Sequence, residues 1–231
     1  SATASATGSA TAAASSAASA SAVDSVVPDE TAGPYPGDGS NGKNVLDDSG
    51  VVRSDITTSI GSSEKVAGVP MTINLTVTDS ASGYAAMAGA AVYVWHCDAA
   101  GNYSMYSQGA TDQTWLRGVT ETNANGTATF TSVFPGCYAG RWPHIHFEVY
   151  KSTSDATSSG QIVKTSQIAL PQAICETVYQ DTSTYPNSTR NLGQLSLKTD
   201  NVFGNDGGIH QLATVTGDAS SGYVVNLTIG V

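Results

Sequence analysis

The chain is poor in charge. Only 12% of its 231 residues are Asp, Glu, Lys or Arg, and 9 Lys and Arg stand against 19 acids, a formal net charge of -10. So few cations exclude a nucleic-acid binder, whose phosphates call for clustered Lys and Arg, and argue against an anionic membrane surface. Long apolar runs are missing, so no segment reads as a transmembrane span. Cysteine is scarce: Cys97, Cys137 and Cys175 allow one internal disulfide at most, and no Cys-x-x-Cys pair points to zinc. Histidine occurs only 4 times, and no internal repeat is present.

What the N-terminal stretch lacks is large apolar side chains. Residues 1–27 are mostly Ser, Ala and Thr and cannot bury enough surface to offset their ordering entropy. They read as a low-complexity tail or linker ahead of one domain over 28–231. The chain starts at Ser1 without Met, so a leader is neither shown nor excluded. A polar tail of this kind raises the expectation of an extracellular or extracytoplasmic location, with surface tethering through the tail.

Beyond the tail, the pattern is short strands punctuated by turns. Val69 to Thr78 alternates in hydrophobicity, as do Thr127 to Val133 and Gly222 to Ile229. Ala90 to Cys97 is a further strand, and His144 to Lys151 with Ile162 to Leu170 reads as an antiparallel pair joined by a polar loop. The one convincing helix, Gln172 to Tyr179, is short and begins after Pro171. The pattern predicts an all-β fold: an antiparallel β-sandwich with long loops and one short helix.

Two of the four histidines, His144 and His146, sit two apart on a predicted strand. Alternation points both imidazoles to one face and Ile145 to the other. Two imidazoles on one face can bind a metal; a surface pair or a satisfied core pair is the plain alternative. Tyr103 and Tyr138 could add phenolate, a hard anionic donor that suits Fe(III) better than Zn(II) or Cu(I).

Five runs occur in a telling order: Trp95 to Ser104, Leu116-Arg117-Gly118, Thr122 to Gly126, Pro135-Gly136-Cys137-Tyr138, and Arg141 to His146. Together they resemble the intradiol ring-cleavage dioxygenases, closest to their secreted single-chain branch, from about Thr31 to the C-terminus. The resemblance implies a non-haem Fe(III) held by Tyr103, Tyr138, His144 and His146. It implies that a catechol-type substrate and O2 react to give a muconate-type diacid. Tyr138 would leave the metal and take a substrate proton, Arg141 would steady negative charge on the substrate, and Gln167 would lie near the site. Gly33, Pro34 and Tyr35 match the run that lines the family's substrate pocket. The long helical dimerisation segment of the bacterial catechol branch is replaced here by the tail, so the oligomeric state is open.

Other residues have weaker claims. Trp115, Tyr106 and Trp142 are read as core or pocket wall, Arg117 as structural, His96 as hydrogen-bonded inside the sandwich, and His210 as surface. Pairing of the strands 144–151 and 162–170 would bring Cys137 and Cys175 to one edge, which predicts a Cys137–Cys175 disulfide anchoring the Tyr138 loop and leaves Cys97 a buried free thiol. The runner-up reading is a non-catalytic, transthyretin-like binding module; a third is a carbohydrate-associated accessory domain.

Overall fold

The structure, a computed structural model, describes residues 23–231. Residues 1–22, most of the predicted tail, lie outside it. The packed chain begins early: Val26 bridges Gly230, and Val27 is buried and donates its N–H to the Gly230 carbonyl.

Two sheets stack face to face. The first contains β1 (Pro70–Asp79), β2 (Ala85–Ala86), β5 (Thr127–Val133), β8 (Thr214–Asp218) and β9 (Gly222–Gly230). The second runs in the order β4 (Arg117–Glu121), β3 (Ala91–Trp95), β6 (His144–Tyr150), β7 (Ile162–Ala169). All pairs are antiparallel except β1 with β9, which closes the first sheet in parallel. The antiparallel sandwich is thus as expected, and the β6–β7 pairing aligns His144 with Ala169.

Helices differ from expectation. There are three α-helices among the described residues, α1 (Thr153–Thr157), α2 (Gln172–Val178) and α3 (Ser188–Leu192), besides a 3-10 turn at Ser80–Ser82. Only α2 was legible. The other two are five residues each, too short to show a periodic apolar face. α1 forms inside the polar β6–β7 loop because the Ser152 side chain caps it, accepting from the Asp155 N–H. β4 was also missed, since Arg-Gly-Val-Thr-Glu carries no alternating signal.

The second sheet is covered on both faces, and this places the site. Val92 and Val94 of β3 and Ile145, Phe147 and Val149 of β6 pack into the sandwich core with Ile73, Leu75 and Phe130. Ala91, Tyr93 and Trp95, with Val119 of β4, point the other way, under a second layer of long loops that brings in Val45, Leu46 and Tyr103. Every residue of β6 is buried as a result, although the strand alternates in chemistry. Each large side chain buried in this way contributes roughly 1.5–3 kcal/mol.

Candidate metal centre

His144 and His146 lie on the outer face of β6, roofed by the loops. The ladder sets their neighbours: Trp95 of β3 and Gln167 of β7 stand directly opposite His146. Trp95 stacks flat on the His146 ring, with centroids 4.8 Å apart and planes at 7°. Behind them Tyr93 stacks on Trp95 at 4.9 Å. The His146 ring is therefore fixed by packing, since its Nδ1 has no hydrogen-bond partner.

Two loops deliver the tyrosines. Tyr103 follows a tight turn in which Asp98 Oδ1 accepts from the Ala100 and Asn102 amides. Its own N–H is held by Ser107 Oγ at 2.9 Å. Tyr138 ends the Phe134 to Tyr138 loop. The two loops touch at Gly136, whose N–H bonds the Asp98 carbonyl and where a Cβ would collide with the Ala99 carbonyl. Glycine is required there for close approach.

Four donor atoms converge. Tyr103 Oη lies 3.1 Å from Tyr138 Oη and 3.3 Å from His144 Nε2. His144 Nε2 lies 3.2 Å from Tyr138 Oη and 3.2 Å from His146 Nε2. His144 Nδ1 donates to the Trp142 carbonyl, so its Nε2 presents a lone pair to the cluster. Burial, then the Arg141 charge, pushes His144 down to about 3, and burial, then His144, holds His146 well below its usual range. Burial raises Tyr138 to about 12 and Tyr103 well above its usual value. Neutral imidazoles aimed at one another and phenols that ionise only with help form a set that a cation would satisfy. The spacing suits donors sharing one ion through bonds of about 2 Å. Phenol oxygens favour a hard ion such as ferric iron. Among the described residues no group of three His, Cys, Asp or Glu could hold a metal, which sets this cluster apart from the usual zinc and calcium sites.

Arg141 borders the cluster. Its Nη1 is 3.4 Å from His144 Nε2, its Nη2 donates to Gln167 Oε1 at 2.7 Å, and its Nε donates to Asp200 Oδ1 at 3.0 Å. Gln167 is fully buried and its Nε2 donates to the Thr31 carbonyl, tying β7 to the N-terminal loop. Asp200 is the residue that sequence reasoning missed. It sits in a turn-rich loop far along the chain, with no motif around it, and is buried against Arg141.

The Gly33, Pro34 and Tyr35 run lies over the cluster. Gly33 has φ of +68°, and a Cβ there would stand 3.5 Å from His146 Cε1. The Tyr35 ring packs 5.1 Å from Tyr103 and 5.2 Å from Tyr106, and the Pro34 carbonyl accepts from Asn41 Nδ2. Arg117 is structural, as read, and clamps this loop through the Tyr35 and Pro36 carbonyls. Trp115 and Trp142 are core, whereas Tyr106 is half-buried beside Tyr35. His96 is buried against Ser132 and the Cys97 carbonyl. His210 is half-buried and bonded to Ser25 rather than free on the surface.

The Cys137–Cys175 disulfide is not formed: Cys97, Cys137 and Cys175 are all free and buried. The Cys137 thiol turns back on its own loop toward the Arg141 carbonyl, 3.6 Å away, while α2 carries Cys175 into the core. Hydrogen bonds anchor the Tyr138 loop instead. Ser188 Oγ accepts from Cys137 N–H, Asn191 Nδ2 donates to the Cys137 carbonyl, and the Tyr179 and Tyr185 hydroxyls donate to the Pro135 and Phe134 carbonyls.

Comparison with known proteins identifies the family and the fold. The family model described as Dioxygenase matches residues 48–184, more than half of the chain and all four converging donors. The chain belongs to the intradiol ring-cleavage dioxygenase family. That family uses non-haem iron, and the donor set here fits such an ion. Solved structures share the fold. An intradiol ring-cleavage dioxygenase from Tetranychus urticae superposes with a TM-score of 0.70 at 24% identity, covering 89% of this chain and 94% of its own. The dioxygenase domain of a dioxygenase and carbohydrate-binding protein fusion from Streptomyces sp. SirexAA-E gives 0.54 at 22%, covering 90% and 98%. Catechol 1,2-dioxygenase from Acinetobacter radioresistens gives 0.50 at 19%, covering 90% and 63%. No curated protein matches this intradiol family member.

Proposed function

We propose that the protein is a non-haem Fe(III) intradiol dioxygenase that cleaves a catechol-type ring with O2 to a muconate-type diacid. The observation that carries this is the convergence of Tyr103, Tyr138, His144 and His146, with neighbouring donors 3.1–3.3 Å apart. A non-catalytic sandwich gives no reason to bury four such donors face to face.

A ferric ion there supplies the Lewis-acid and one-electron chemistry that makes a bound catecholate reactive toward O2. The protein's residues do the rest. Tyr103 is buried and held at its N–H by Ser107, so it is the fixed phenol. Tyr138 is half-buried and is followed by exposed Ala139 and Gly140, so it is the phenol nearer solvent and the one assigned to move. On substrate binding Tyr138, held as a phenolate when the ion is bound, would leave the cluster, and its Oη would take up a catechol proton to become the neutral phenol. His144 and His146 stay in place, one locked by the Trp142 carbonyl and the other by the Trp95 stack. Arg141 presents Nη1 toward the cluster and balances charge that develops on the substrate oxygens. Gln167 holds Arg141, and Tyr35 with Pro34 and Gly33 forms a wall beside Tyr103 against which the ring would lie. An extracytoplasmic location remains part of the proposal, resting on the composition of residues 1–27.

The test is a panel of catechols supplied to the iron-loaded protein, with oxygen uptake and product identity measured. One O2 consumed per ring opened between the two hydroxyls, giving a diacid, supports the reading. A product opened beside the hydroxyls, or no uptake with any catechol, refutes it.

A further inference from the structure

Arg141 depends on a residue outside every motif. Its guanidinium has five N–H bonds to place. Nε donates to Asp200 Oδ1 at 3.0 Å, and Nη2 donates to Gln167 Oε1 at 2.7 Å and to Asp200 Oδ2 at 3.3 Å. These contacts consume one edge of the fork and leave Nη1 as the edge turned to His144 Nε2. The Phe203 ring lies 5.8 Å from the guanidinium carbon and backs it.

Asp200 is itself held rigidly. Its side chain is fully buried, and its oxygens accept from the Trp142, Val202 and Phe203 amides at 2.8, 2.9 and 3.1 Å. Burial alone would raise its pKa, yet hydrogen bonds from Arg141 and the Trp142 amide hold it below the usual carboxylate value. It is therefore an ionised, preorganised anchor joining the 196–204 loop to the Arg141-Trp142 turn just ahead of β6.

We infer that Asp200 is a positioning residue for the ring-cleavage reaction, fixing the Arg141 guanidinium so that its Nη1 edge faces the donor cluster and the catecholate bound there. The inference rests on the proposed ring-cleaving activity. Without the Asp200 carboxylate, Gln167 Oε1 is the one oxygen acceptor left to the guanidinium beside the Phe203 ring, so the fork can rotate about that bond, and a fork that points elsewhere stabilises nothing. The competing role is a loop staple, acting only through the Val202 and Phe203 amides. A staple and a positioner differ in one respect: the effect of a positioner disappears when Arg141 is gone.

The experiment is a double-mutant cycle on the iron-loaded protein: wild type, Asp200→Asn, Arg141→Ala and the pair. Iron per chain, kcat, KM, the anaerobic affinity for catechol and the unfolding midpoint are measured for each. Asp200→Asn is expected to keep its iron and to lower kcat by roughly tenfold to a hundredfold, the scale of misplacing a catalytic group by about an ångström. In the Arg141→Ala background the same substitution is expected to change kcat by less than about twofold. Anaerobic catechol affinity is expected to follow the same non-additive pattern. If Asp200→Asn does not fold, Asp200→Glu keeps the charge, moves the carboxylate and should show the same dependence on Arg141. Equal losses of kcat in both backgrounds, or an unchanged kcat in Asp200→Asn, overturn the positioning role while leaving ring cleavage intact. A wild-type iron protein that consumes no O2 with any catechol overturns both.

Discussion

Arg117 offers the sharpest test of how the site is held together. It is 1% exposed, and all five of its N–H bonds are spent. Nε donates to Ser104 Oγ, Nη1 to the Pro36 carbonyl and Tyr93 Oη, and Nη2 to the Tyr35 and Ser104 carbonyls, at 2.9–3.0 Å. One side chain thus ties β4 and β3 to the loop over the cluster and to the residue after Tyr103. Replacing it with Met, Arg117→Met, keeps apolar volume and orphans the Tyr35 and Ser104 carbonyls, while Pro36 keeps its bond from Tyr93 Oη. Hydrogen bonds to a charged group contribute about 1.5–3 kcal/mol each, but recovery of the guanidinium's own desolvation and entry of water offset much of that sum. The net expected loss is about 3–5 kcal/mol, in the range reserved for broken buried networks. For a chain of this length that corresponds to a fall in the unfolding midpoint of roughly 10 °C. Arg117→Lys keeps the charge with three donors and no fork, so it should recover only part of the loss. Thermal unfolding followed by circular dichroism, with iron content measured alongside, reads both effects, and Arg117→Met should also load less iron because Tyr103 is loosened. A loss below about 1 kcal/mol in Arg117→Met would refute the reasoning, because the orphaned acceptors would then cost almost nothing.

Other outcomes can be checked separately. Arg141→Ala should retain iron and lose turnover by roughly a hundredfold, the scale of removing one preorganised stabiliser, and unchanged turnover would return it to a purely structural role. Tyr103→Phe, His144→Ala and His146→Ala should each lose bound iron and its colour; full iron in His144→Ala would sink the ligand assignment. Thiol titration should find no reactive cysteine in the native protein and three after denaturation, since Cys97, Cys137 and Cys175 are free and buried. A count of one after denaturation would restore the disulfide. Gly33→Val should impair activity, because φ is +68° and its Cβ faces His146.

Much of the site was legible because it is written in local sequence. His144 and His146 share a strand face by simple alternation, and the strand runs where its pattern places it. Tyr103, Tyr138 and Arg141 lie in short motifs, and the structure brings all of them to one point. What was not legible is what depends on distant chain segments. Asp200 reaches Arg141 from 59 residues away, through a loop whose turns leave no periodic signal. The cysteine pairing failed for a related reason: strand pairing predicts which backbone edges meet, and it does so correctly here, but not which way the Cys137 side chain turns. The short helices and β4 are set by capping and by tertiary cover, neither of which a hydrophobic pattern records.

The most direct measurement of the central claim is the metal content and visible absorption of the purified protein, before and after anaerobic addition of catechol. One iron per chain is expected, with a phenolate-to-ferric charge-transfer band that colours the protein and shifts when catechol binds. The band should disappear in the Tyr103→Phe protein. A colourless protein that binds no iron on reconstitution, or one whose absorption ignores catechol, would contradict it.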